Sequence, residues 1–230
     1  PTPSAETILQ GMMEVLEANR MPDARLRVTV TSGEGPLGSE KGDHPPTMVI
    51  ACSALKPWPE TETLFTVPWP RNERSALAGV KSISYAENVR ALAVAKSKGG
   101  GEALFANTRG ELCEGTGSNI FLVKDQAVIT PPLSSGCLAG VTRGLVIELC
   151  QNNGIPVTER PIAMNEIAEC DESFLTSTTR EVHGIAQVDD HVFPRAPGPV
   201  TTKLRALFKN MAASMTASPP PCPPFATGTS

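Results

Sequence analysis

Apolar positions change period several times along the 230-residue chain, and each change marks an element. After Ser4, the residues Ile8, Leu9, Met12, Met13, Val15 and Leu16 recur at helical spacing to about Arg20, which predicts a helix opened by a serine cap. Arg25–Thr31 (RLRVTVT) alternates as a strand, Gly33–Pro46 is turn-rich, and Thr47–Ala54 and Thr63–Val67 read as two further strands. The Pro- and Arg-containing stretch Pro68–Gly79 reads as linking sequence. These patterns divide the chain into a small α+β domain over 1–70, a linker over 71–79 and a larger domain over 80–215.

In the larger domain, Ala86–Lys98 is helical in pattern and is stopped by Gly99-Gly100-Gly101. A hairpin follows, with strands Glu102–Asn107 and Glu111–Glu114 around the turn Thr108-Arg109-Gly110. Ser118–Val123 and Ala127–Thr130 alternate as strands, and PPLSSGCLAG leads to a helix over Thr142–Asn152, closed by Asn153-Gly154. A strand at Ile155–Arg160, a short helix at Met164–Glu169, strands at Glu172–Thr176 and Val182–Val188, and a helix at Thr201–Met215 complete the domain. The Pro/Ser/Thr-rich tail, residues 216–230, has no means of burying a core and is expected to be disordered.

Composition narrows the function. Forty per cent hydrophobic and 19% charged residues describe an ordinary globular chain, and no apolar run reaches the roughly 20 residues of a membrane helix. A net charge of −4 leaves no basic stripe for nucleic acid, and only 4% aromatic residues leave few rings for base stacking. The six cysteines (Cys52, Cys113, Cys137, Cys150, Cys170 and Cys222) form no CxxC pair and stand apart from His44, His183 and His191. They read as small buried hydrophobes in a reducing compartment, with no zinc site implied, and a cytoplasmic location is expected.

Four features carry candidate chemistry, each with a plainer alternative. Lys81 follows the apolar run Ala76–Val80, where desolvation would make a nucleophilic amine; a surface lysine is the alternative. Glu114 follows a tight hairpin and precedes Gly-Thr-Gly-Ser-Asn, small residues that let a carboxylate approach a heterocyclic nitrogen; a solvated loop acid would look the same. SGCLAGVTR places Gly136 and Gly140 before a helix start near Thr142, a place for an anion or simply a threonine cap. Thr176-Ser177-Thr178-Thr179 offers four hydroxyls at a strand end, a phosphate cup or an ordinary β edge. No GxSxG elbow occurs, and His183 reads as a satisfied polar core residue, so a serine hydrolase is set aside.

The order of these features, in GVKSISYAENV, EALFANTRGELCEGTGSNIFLV, TPPLSSGCLAGVTR and DESFLTSTTREV, resembles the class IV aminotransferase family of pyridoxal-phosphate enzymes (fold type IV) from Arg71 to about Val188. The resemblance implies a small α+β domain, a larger domain with a barrel-like sheet and flanking helices, pyridoxal 5'-phosphate as cofactor, a homodimer and a small amino-acid substrate. It implies Lys81 as the cofactor-bearing lysine and proton shuttle, and Glu114 as partner of the ring nitrogen. Leu138, Val141 and Thr142 correspond to the ring-supporting and phosphate-binding loop, with Ser177 and Thr178 opposite. Tyr85 matches a hydroxyl near the cofactor's phenolic oxygen, while Arg27 and Thr179 match substrate-holding positions. The small domain lacks the family's opening strands and phosphate-binding arginine, as though the chain begins partway through it. The family includes a 4-amino-4-deoxychorismate lyase, which releases pyruvate to leave 4-aminobenzoate for folate synthesis, and branched-chain and D-amino-acid transaminases. KSISYAEN resembles the lyase, which is the leading expectation. TSTTREV and Tyr85 resemble the transaminases, and an inactive paralogue serving as a dimer partner is the third reading.

Overall fold

Ser4 lies in extended backbone and accepts the Thr7 N–H at 3.1 Å, so helix α1 (Ala5–Asn19) starts at the expected cap. Arg20 ends it in the left-handed conformation, its N–H returning to the Leu16 and Glu17 carbonyls. Strands β1 (Ala24–Thr31) and β2 (Thr47–Ala54) pair antiparallel from Ala24↔Ala54 to Thr31↔Thr47. These three elements form one compact unit that ends at Pro57; a second begins at Trp58. The computed structural model describes residues 3–217, so the tail expected to be disordered and Cys222 lie outside the described residues, apart from the end of the last helix at Ala217.

The second unit is built on one sheet with strand order β5-β4-β3-β10-β9-β6-β7-β8, and β11 (His191–Val192) pairs with β10. In chain order the strands are β3 (Thr61–Thr66), β4 (Glu102–Ala106), β5 (Leu112–Gly115), β6 (Asn119–Lys124), β7 (Ala127–Thr130), β8 (Val157–Glu159), β9 (Glu172–Ser177) and β10 (Glu181–Val188). The sheet curls toward closure. At its β5 edge the Leu112 N–H donates to Ile162 O at 2.8 Å, and Glu111 bridges Ala163, just past the opposite edge strand β8.

Curling gives the strands two buried faces, so they lose the apolar/polar alternation of an open sheet. Leu104, Leu112, Ile120, Leu122, Leu175 and Ile185 fill the inside with Leu64 and Ile162. The alternate residues Phe121, Val123, Phe174 and Val182 face outward, where α3 (Val141–Asn152) and α4 (Pro199–Ala217) cover them with Val146, Cys150, Leu204 and Phe208. Helix α2 (Ala86–Ser97) lays Ala91 and Ala95 on Ala103 and Phe105. Phe121 and Phe174 stack at 4.9 Å between centroids.

The expected domain boundary moves. β3, assigned by pattern to the small domain, lies inside the large sheet, parallel to both β10 and β4. The stretch expected to be a linker continues beside β4, with Val67 N–H on Leu104 O at 3.2 Å and Arg71 N–H on Ala106 O at 2.7 Å. Alternation identifies a strand but not its neighbours, and a Pro-rich polar stretch can still have its backbone satisfied by a sheet. Four of the five described cysteines are buried and all five are free thiols. Burial pushes Cys137, Cys150 and Cys170 up to about 11, as inert packing thiols. No described helix is long and apolar enough to cross a membrane.

Candidate functional site

A cavity of about 570 Å³ opens in the second unit, lined from four stretches within 71–88, 114–119, 136–142 and 176–178. Eight of the expected site residues line it: Lys81, Tyr85, Glu114, Leu138, Val141, Thr142, Ser177 and Thr178. Two expected substrate residues do not. Thr179 lies next to the lining residue Thr178, its backbone carbonyl accepting Trp58 Nε1–H at 2.7 Å. Arg27 belongs to the other unit, opposite Ala51 in the β1–β2 pair, so its role stays a sequence resemblance.

Glu114 reaches the cavity through a β-bulge. Phe105 pairs with Glu114 but Ala106 pairs with Leu112, so one residue, Cys113, is extra on β5. Strict alternation would put Leu112 and Glu114 on one face. The bulge keeps Leu112 inside the curled sheet and turns Glu114 to the Phe105 face. Its Oε2 accepts the Leu138 N–H at 2.9 Å. Its Oε1 lies 3.3 Å from Arg71 Nε, an ion-pair distance without hydrogen-bond geometry. Burial raises the Glu114 pKa above its ordinary value, while the Leu138 amide and the Arg71 and Lys81 charges hold back the rise.

Arg71 was given no role by the sequence. Its backbone bridges Asn107 beside β4, its guanidinium lies 4.3 Å over the Phe105 ring, and Nη1 and Nη2 donate to Asn88 Oδ1 at 3.1 Å. No spacing marks it in the sequence, because the contact depends on which strand the supposed linker runs beside.

Lys81 lines the cavity but is exposed, and its neighbours Leu77 and Val80 are 51% and 56% exposed. The expectation of an amine buried by its apolar run is therefore corrected for this chain alone. Residues 73–79 form consecutive turns on the cavity rim, and 80–85, with Lys81 among them, continue as irregular chain up to the helix at Ala86. That rim is anchored by Glu73, whose carboxylate accepts the Thr108 N–H at 3.0 Å, the Thr108 hydroxyl at 2.7 Å and Arg109 Nη1 at 2.9 Å. The Thr108 hydrogen bonds, with a smaller contribution from the Arg109 charge, lower the Glu73 pKa to about 2.

At the other end, α3 begins at Gly140 with no side-chain cap. A Cβ at Gly140 would come 2.1 Å from Asn119 Oδ1, so only glycine lets the helix start pack this closely. Asn119 Nδ2 in turn holds Leu138 O at 2.8 Å. Two buried hydroxyls among the lining residues, Ser118 Oγ and Thr176 Oγ1, have no partner. A helix start, two orphaned hydroxyls and Ser177 and Thr178 together make an anion-receptive end. Arg143 is not part of it, donating instead to Pro131 O and Glu159.

The family model described as amino-transferase class IV matches residues 1–188. A Methanocaldococcus jannaschii protein provisionally named a branched-chain-amino-acid aminotransferase is 33% identical over 90% of this chain and 73% of its own length. A branched-chain amino acid aminotransferase from Thermobaculum terrenum, solved in its PLP form, is 30% identical with a TM-score of 0.82 over 92% of this chain and 71% of its own. A Legionella pneumophila structure provisionally named a 4-amino-4-deoxychorismate lyase shares the fold, with a TM-score of 0.86 at 23% identity over 91% of this chain and 78% of its own. Its sheet, its cavity and these matches agree: the chain belongs to the class IV aminotransferase family, with the fold of type IV pyridoxal-phosphate enzymes.

Proposed function

We propose that the chain is a pyridoxal-phosphate-dependent aminotransferase that moves an amino group between an amino acid and a 2-oxo acid, working as a homodimer. One observation carries the reading: Lys81, the partly buried Glu114 and the uncapped start of α3 line the same cavity.

The residues fit the group. The amides of the first α3 turn and the free hydroxyls of Ser118 and Thr176 are donors that a phosphate would satisfy, with Ser177 and Thr178 beside them. When bound, pyridoxal phosphate supplies an aldehyde that an amine can hold and a ring that accepts the electrons of a broken C–H bond. Lys81 would hold the aldehyde carbon and then move the proton at the substrate's amine-bearing carbon. Glu114, fixed by the Leu138 amide, would keep the ring nitrogen protonated, and Tyr85 would lie near the ring's phenolic oxygen. The exposed apolar residues Leu77, Val80, Ile83 and Val89 flank Lys81, a rim that a second copy would cover and thereby dry the amine.

Transfer is favoured over the lyase reaction because a 33%-identical relative matched across nine-tenths of the chain carries an aminotransferase name, whereas the lyase likeness is one of fold. Both reactions use the same proton removal by Lys81 and part afterwards. The test is borohydride reduction of the holoenzyme with mass mapping, followed by assays with L-branched-chain amino acids or D-alanine plus 2-oxoglutarate. A pyridoxyl mass on the Lys81 peptide and glutamate formation are expected. Pyruvate and 4-aminobenzoate from aminodeoxychorismate, with no glutamate from any amino acid, would replace the transferase with the lyase.

A further inference from the structure

A charged cluster is buried against the anion-receptive end of the cavity. Arg180, its side chain 4% exposed, donates from Nη1 to Glu62 Oε2 at 3.0 Å and from Nη2 to Glu102 Oε2 at 2.9 Å. Nη1 also lies 2.8 Å from His183 Nδ1. A guanidinium has only donors, so Nδ1 accepts and the His183 Nε2–H donates to Pro59 O at 2.8 Å. The imidazole is therefore neutral, and burial lowers its pKa in the same direction. The Trp58 ring covers the guanidinium at 3.7 Å.

The cluster reaches two lining stretches. Glu102 Oε1 accepts the Thr116 hydroxyl at 2.6 Å and the Gly117 N–H at 2.8 Å. The Arg180 N–H donates to Ser177 Oγ at 3.2 Å, and Trp58 Nε1–H holds Thr179 O. Thus Arg180 stands in the turn after β9, its backbone N–H on Ser177, while its side chain ties that turn through Glu102 to the turn after β5. Buried ion pairs are seldom more stable than apolar packing of the same volume, so this arrangement calls for a role beyond stability.

We propose that Arg180 is a positioning residue: through Glu102 and the Ser177–Thr179 turn it sets the spacing of the two lining stretches that receive the cofactor's phosphate. The inference rests on the reading of the cavity as a pyridoxal-phosphate site. Its distinguishing readout is the preference for pyridoxal phosphate over pyridoxal, which lacks the phosphate. Both are titrated into wild type and variants and followed by the absorbance of bound chromophore.

Arg180→Lys is expected to weaken pyridoxal phosphate about tenfold while pyridoxal changes less than about twofold, the size of one or two lost hydrogen bonds. Glu62→Gln, which meets the arginine but no lining residue, is expected to lower the melting temperature and leave the preference unchanged. If Arg180→Lys fails to fold, Glu102→Gln carries the same expectation. Equal weakening of both ligands, or of neither, overturns the positioning role while wild-type binding keeps the cofactor reading intact. A wild type that binds neither ligand and carries no borohydride-fixed mass at Lys81 removes the cofactor reading, and this inference with it.

Discussion

The two walls of the cavity are built differently. Glu114 stands on a strand, in register with Phe105, its side chain only 14% exposed, with its Oε2 held by a backbone amide. Lys81 stands exposed in irregular chain just past a run of turns held by local hydrogen bonds such as Ala78 N–H to Ser75 O and Val80 N–H to Leu77 O. The contrast suits the role proposed for each group. An acid that keeps a ring nitrogen protonated needs a fixed distance and little water, which a sheet provides. An amine that carries a proton from one atom to another must swing, which a rim of turns allows.

The largest effect should come from the Lys81 wall. Lys81→Ala should lower transfer activity roughly 10³–10⁴-fold through loss of the proton carrier. Because the side chain is exposed, folding stability should move by no more than about 0.5 kcal/mol. Glutamate formation and urea unfolding measure the two, and retained activity would remove Lys81 from its role.

Glu114→Gln should lower activity less, roughly 10²–10³-fold, while sharpening the contrast in stability. Burial raises the folded pKa of Glu114 above 4.5, so the folded apoprotein binds this proton more tightly than the unfolded chain does. Its contribution is most favourable below 4.5 and is lost as pH rises through the folded pKa. The variant's stability relative to wild type should therefore grow as pH rises above 4.5. A difference that stays flat in urea midpoints across that range would contradict the buried, costly carboxylate.

Glu73→Gln should have the smallest effect and the opposite sign. Its folded pKa of about 2 lies below the ordinary 4.5, so its contribution is complete above 4.5 and disappears as pH falls toward 2. The variant should unfold at slightly higher pH on acidification, and residues 72–85 should be cut faster in limited proteolysis as the anchor to Thr108 weakens. Unchanged cleavage would mean that the Lys81 segment is held by other contacts.

Most elements were legible in local pattern. The helix after Tyr85, the helix at Thr142 and the strands from Glu102 to Thr130 lie within a residue or two of their expected bounds, because caps, glycine stops and tight turns act over short distances. The order of lysine, glutamate, glycine-helix and hydroxyl run was legible too, and eight of those residues meet in one cavity. What was not legible depends on register. β3 was placed in the small domain because alternation does not name a partner strand. Cys113 gave no sign that it is the extra residue of a bulge, yet that residue decides which way Glu114 turns. Arg71 and Arg180 looked like ordinary charges until strands distant in sequence brought their carboxylates alongside.

By itself, then, the amino-acid order determined most elements, the family and the candidate residues that meet in the cavity, since these rest on neighbours a few positions apart. Tertiary structure alone decided which acid is drawn out of water, which lysine stands at the cavity rim and which guanidinium ties two loops together. Burial and ion pairing are properties of space, created only when the sheet curls and sets residue 62 beside residue 180.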